Sequence, residues 1–260
     1  MKAKNKLLTL LILSASAAVT TAAINKAIQV SAISKNLLAE PEPLCFKWRL
    51  GNVHYTKEGT GKPLLLIHDL DTISSGHEWK QLIPLLRDEY TIYTIDLLGF
   101  GRSEKANMTY TNFLYVQMIS DFIKSEIGHR TDVIAAGNSG TFVIMACDHN
   151  PELFDRLLLV NPQSISSCSH LPGKYAKIYK SFLDFPVIGT LIHNIAFSRH
   201  FLLERFRRDY FSNPYAVKDA DLTAYHEAAH LGATPKSIYG SDHCAYTNCN
   251  ITNALKRIDN

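Results

Sequence analysis

The 260-residue sequence has no long basic run: 27 lysines and arginines stand scattered against 24 acidic residues, for a net charge of +3. The electrostatic footprint of a nucleic-acid binder is therefore missing, and small molecules are the expected partners. Internal repeats and low-complexity tracts are lacking too, so the chain reads as one globular domain carrying an insertion. Cysteine is sparse. The five thiols are Cys45, Cys147, Cys168, Cys244 and Cys249, an odd number that leaves one unpaired in an oxidising compartment. Cys244 and Cys249 beside His243 lack the second pair that zinc-site spacings require, so they read as loop cysteines. No metal and no cofactor is expected.

Charge is also missing from one particular stretch. Lys2, Lys4 and Lys6 precede Leu7–Ile24, a run without any charged residue. A helix of roughly 18 to 20 apolar residues is about the minimum that crosses a bilayer. The span reads either as an uncleaved anchor or as a signal peptide whose apolar region, Leu7–Leu13, leads into Ala15-Ser16-Ala17. Lysines ahead of it outnumber those just behind, Lys26 and Lys35, which leaves the N-terminus in the cytoplasm. The expected location is the cell membrane with the globular part outside, or secretion after cleavage.

What is present begins after Glu40-Pro41-Glu42-Pro43, whose alternating prolines favour extended backbone. Residues 1–43 read as anchor or signal plus linker, and a domain starts near Leu44. Cys45–Leu50 and Val53–Lys57 flank Gly51-Asn52 as a β-hairpin. Leu64–Ile67 is apolar throughout, as in a strand buried on both faces. Tyr90–Ile95, Val133–Ala136 and Leu157–Val160 repeat that signal. Helical patterns separate them: Trp79, Leu82, Ile83 and Leu86, then Tyr115 to Ile127 ending at Gly128, a C-cap residue type. Such alternation predicts βαβ crossovers and a mostly parallel sheet within 44–162. After Asn161-Pro162 only helical segments follow (Tyr175–Leu183, Val187–Phe197, His200–Tyr210 and Asp219–Leu231), so 163–260 reads as a lid over a pocket.

Three segments carry chemistry. Gly137-Asn138-Ser139-Gly140-Thr141 follows the Val133–Ala136 strand and opens a helix; it resembles a nucleophile elbow of the form small-x-Ser-x-small, with Thr141 where a second glycine is usual. Without that context Ser139 is an ordinary helix N-cap. Asp96-Leu97-Leu98-Gly99-Phe100-Gly101-Arg102-Ser103 is similar to the D-x-x-G-x-G-x-S loop of the α/β-hydrolase family. A dinucleotide-binding G-x-G-x-x-G is excluded there, because Glu104 holds the third glycine position. His68-Asp69-Leu70 stands where that family has His-Gly-x, and His68 reads as structural.

The resemblance covers Cys45 to about Pro162, and it implies an α/β fold with a central, mostly parallel sheet of the α/β-hydrolase type, a helical lid insertion and the last two strands absent. It implies Ser139 as the nucleophile and the backbone N–H groups of Gly140 and Leu70 as the oxyanion hole. It also implies that acid and base would come from strands past Asn260, leaving His226, His230 and His243 as the histidines within the chain. The expected function is hydrolysis of an ester or amide in a small or lipid-like acyl substrate. The alternatives are a catalytically inactive binding protein that kept pocket and lid, and an interaction module pairing through the edge of the sixth strand.

Overall fold

The computed structural model describes residues 2–259. Its centre is one six-stranded sheet: β1 (Leu44–Trp48), β2 (Gly51–Glu58), β3 (Lys62–Ile67), β4 (Tyr90–Ile95), β5 (Thr131–Ala136) and β6 (Phe154–Val160), in the order β1-β2-β4-β3-β5-β6. β1 and β2 form a hairpin as expected, but its turn is Arg49-Leu50; Gly51 and Asn52, expected as the turn, lie in β2 opposite Trp48 and Lys47, and β2 pairs antiparallel with β4. The other four strands run parallel, with Leu65 between Tyr93 and Val133. Leu65, Leu66 and Ile67 are fully buried because helices cover both faces, which is why this strand shows no apolar–polar alternation.

α2 (Ile83–Leu86) lies beside β4, while α3 (Asn112–Phe122) and α4 (Ser139–His149) pack together. Thr111 caps α3 by accepting the Leu114 N–H, and the helix runs on as a π turn to Gly128, whose φ of 72° ends it as expected. Phe122 is the hub of the main core. The rings of Phe46, Tyr55 and Tyr93 meet it edge-on at 5.1 to 6.4 Å.

Beyond β6 the described residues form helices and no strand: α5 (Ile165–Cys168), α6 (Ala176–Leu183), α7 (Ile188–Ala196), α8 (Arg199–Arg205), α9 (Asp219–His230) and α10 (Lys236–His243). Six strands followed by helices is the predicted order; α10 is an addition that sequence periodicity did not reveal.

The N-terminal helix α1 spans Lys2–Ala32, and its Leu11–Ala32 portion is long and apolar enough to be a membrane span or a signal sequence. It does not give way to a free linker at Asn25. The Asn25 side chain donates to the Val187 carbonyl and accepts from Asn194, while Gln29 donates to the carbonyls of His230 and Gly232. Beyond the helix, the buried carboxylate of Glu227 accepts the Leu37 and Leu38 N–H groups, and Glu40 pairs with Arg102. Residues 25–40 are therefore fastened to the domain through the Asn25, Gln29 and Glu40 side chains and the Leu37 and Leu38 backbone.

Candidate active site

Two turns at the carboxyl ends of the parallel strands carry the motifs. After β4, Asp96 is completely buried, and its carboxylate accepts from the Gly76 N–H at 2.6 Å, the Arg102 N–H at 2.8 Å and the Arg102 Nε at 2.7 Å. Burial alone would push its pKa up; the Arg102 charge and these hydrogen bonds outweigh that and hold it well below the usual carboxylate range. Ser103 closes the loop by donating to the Asp96 carbonyl, and its hydroxyl accepts the His54 N–H. Gly101, at φ 44°, is required because a Cβ there would strike the Asp96 carboxylate. The octapeptide is thus a polar knot centred on the Asp96 carboxylate.

His68 supports the same region. Its Nε2 accepts the Leu97 N–H at 2.9 Å, which leaves Nδ1–H to donate to the Asp69 carbonyl. Burial lowers its pKa and keeps the ring neutral. With both nitrogens engaged on backbone, His68 has the structural role read for it.

The second turn follows β5. The strand ends at Ala136, and the next residue, Gly137, has φ 53°; the reversal from strand to helix is made there. Ser139 sits two residues later as the first residue of α4, is wholly inaccessible, and donates its Oγ–H to the Ala136 carbonyl at 2.7 Å. A nucleophile elbow would instead hold its serine at the tip of the turn with the side chain free. Counted from the tip, Ala135 and Ser139 are the small residues two before and two after, so Ser139 fills the packing position of the motif. Gly140 also lies inside the helix, where a Cβ would touch Leu159 of β6.

Two backbone donors do converge. The Asn138 N–H and the Leu70 N–H both point at one oxygen, Asp69 Oδ1, at 2.8 and 2.7 Å. Leu70 was expected in such a pair; its partner is Asn138, one residue past the tip, instead of Gly140. An oxyanion is stabilised by N–H groups aimed where negative charge develops, and here a fixed carboxylate already fills that place. A Cβ built on Gly137 would fall inside the same carboxylate. Asp69 therefore occupies both the donor pair and the space of the side chain that Gly137 lacks.

Glu78 stands beside it, accepting the Asp69 N–H at 3.2 Å. Burial raises its pKa to about 7, and the neighbouring charge of Asp69 adds to the shift. Glu78 also lines a cavity of about 270 Å³, walled by Phe206, Tyr210, Phe211 and Tyr225 on the helical side and by His77, Lys80 and Asp221. Sequence reading missed Glu78, Asn138 and the role of Asp69. The available signal was aspartate in a glycine position.

His226 and His230 lie in α9 with ring centroids 4.5 Å apart, and His230 donates to the His226 carbonyl. Burial lowers the pKa of both, that of His226 to about 4. His243 lies against the rings of Tyr179 and Tyr239. None of these contacts reaches Ser139 or Gly137.

Comparison with known proteins gives the same framework. Residues 64–248 match the model of the alpha/beta hydrolase family. The chain is similar to a 2-hydroxy-6-oxo-6-(2'-aminophenyl)hexa-2,4-dienoic acid hydrolase of Metapseudomonas resinovorans, 32% identical over 105 residues that cover 39% of this chain and 34% of that protein. A soluble epoxide hydrolase of Corynebacterium sp. (strain C12) is 26% identical over 147 residues, 56% of this chain and 46% of the relative. The chain thus spans less than half the length of these two relatives. A hydrolase of Pseudomonas aeruginosa PA01 superposes with a TM-score of 0.63 at 14% identity, covering 85% of this chain and 78% of that structure.

Proposed function

The chain belongs to the alpha/beta hydrolase family, and from that membership we propose that it uses the family scaffold to bind a small, largely apolar molecule without acyl transfer at the elbow. The observation that carries this reading is the Asp69 carboxylate seated on the Asn138 and Leu70 N–H groups beside a glycine tip. Acyl transfer needs a nucleophile at the tip and an empty hole for the oxyanion. The aromatic cavity beside Glu78 is the proposed binding site, with Glu78 as the polar group that orients the ligand. α1 would hold the domain at a membrane, which suits a ligand that partitions into lipid.

The second reading is a serine hydrolase of ester or amide substrates acting through Ser139, favoured by relatives that are themselves hydrolases. It requires α4 to unwind at its first turn and Asp69 to leave the donor pair. A fluorophosphonate probe separates the two. Under the first reading the protein labels no more than its Ser139→Ala variant, whereas labelling that disappears with Ser139 would overturn it.

A further inference from the structure

Helix α6 buries a lysine while it exposes an apolar row. Lys180 is buried and spends its ammonium on Asp184 and the Met108 carbonyl, while Ile178, one turn from Phe182, is 70% exposed. Phe182, Phe185 and Ile188 continue the exposed apolar row toward α7, whose Ile195 is exposed as well. A helix in water places its lysine out and its isoleucine in; exposed apolar patches of this kind mark a contact surface.

Two observations say what covers it. The row runs up to the point where α1 leaves the domain: Asn25 is fastened to the Val187 carbonyl, and Ile188 is the next residue. Ile24, just before Asn25, is itself exposed and closes the uncharged run. If 7–24 crosses a bilayer, the Val187–Ile188 turn lies at its surface, within about one helical turn (~5.4 Å) of the exit point. Charge agrees with that location. Between 165 and 203 the chain has four basic residues (Lys174, Lys177, Lys180 and Arg199) and one acidic residue, Asp184, which Lys180 already neutralises. Lys174 and Lys177, at the start of the row, are left to meet anionic headgroups.

We propose that the α6–α7 row, Ile178, Phe182, Phe185 and Ile188, is a second membrane contact, inserted into the headgroup–acyl boundary beside the exit of α1. The inference rests on α1 residing in the membrane, as proposed above. An amphipathic face buried about 5–10 Å at that depth adds apolar burial to the anchor and fixes the domain's tilt.

The test uses the full chain in mixed phosphatidylcholine–phosphatidylglycerol vesicles, with and without brominated acyl chains. Phe182→Trp and Phe185→Trp report the row, Leu85→Trp on α2 serves as the water-exposed control, and the unsubstituted chain corrects for Trp48 and Trp79. Bromolipid quenching of the added fluorescence by about twofold or more at 182 and 185, with none at 85, is the expected result for an interfacial depth. Equal quenching at 182 and 85 overturns the proposal. Emission at 182 that is shielded only at high protein concentration, without lipid quenching, assigns the row to a second copy and also overturns it. Alkaline carbonate extraction is scored separately: protein that is extracted ends the reading of α1 as a span, while the row stands or falls on its own quenching.

Discussion

The Asp96–Ser103 loop and the Gly137 turn stand at the same end of the same sheet, and both match family motifs, yet only the first is built as its motif suggests. In the loop the Asp96 carboxylate and the Ser103 hydroxyl find their partners within the loop, on the adjacent β2 and on the Gly76 turn, and His68 and Glu40 take the Leu97 N–H and the Arg102 guanidinium from outside. In the turn the motif's serine is packed away and a carboxylate from another loop fills the centre. The difference teaches that a motif whose residues bind one another carries its structure with it, whereas a motif whose purpose is to leave a side chain free depends on what its neighbours present.

The comparison breaks first at Asp96. Asp96→Ala leaves the partly buried Arg102 guanidinium with Glu40 alone and strands two backbone donors, and removing one partner of a buried pair costs about 3–5 kcal/mol. Urea unfolding should show that loss with the slope unchanged. The sign with pH is that of a depressed carboxylate: its stabilisation is present above the unfolded pKa of about 3.9 and disappears as pH falls through the lower folded value. A loss under about 1 kcal/mol would mean that the knot is decorative.

The second test is a double-mutant cycle across the turn. Gly137→Ser forces a side chain into the Asp69 carboxylate at positive φ, an overpacking with expected cost of about 2–4 kcal/mol. Asp69→Gly on the same chain clears that space and should restore all but about 1 kcal/mol. If Gly137→Ser alone is as stable as the parent, Gly137 is not the tip and the account of the site is lost.

How far each part was legible follows from where its determinants lie. Leu64–Ile67 announces a doubly covered strand in four residues, and Gly128 announces a helix end in one, because the burial of β3 and the left-handed φ at Gly128 are local in sequence. The strand end at Ala136 was legible, but the positive φ at Gly137 and the Asp69 carboxylate that another loop seats in the turn were not. Asn25, Gln29 and Lys180 were not legible at all. Their partners lie at Val187, at Gly232, and at Met108 and Asp184, and only the folded chain brings most of these groups together.

Glu78 sharpens the contrast by an intermediate amount. Its pKa is raised to about 7, so the folded state holds a proton that the unfolded state has released; stability falls as pH rises from about 4.5 to 7 and stays at the lower level above. Glu78→Gln keeps an acceptor for the Asp69 N–H and removes the charge. The variant should gain about 2 kcal/mol at pH 8 relative to the parent and little at pH 4.5, read from thermal melts at the two values. A gain equal at both values would place the effect in packing.

The smallest effect is the one that separates the two readings of the turn. Ser139→Ala removes one hydrogen bond, Oγ–H to the Ala136 carbonyl, within a packed helix start. A typical net cost is about 1 kcal/mol, since the carbonyl loses a partner but no cavity larger than a hydroxyl opens. For a strained nucleophile the sign reverses, because a side chain held free for catalysis contributes no such bond and its replacement commonly stabilises. Equilibrium unfolding of Ser139→Ala therefore decides the structural role without any substrate: a loss of about 1 kcal/mol places Ser139 in the helix, and a gain returns it to the tip.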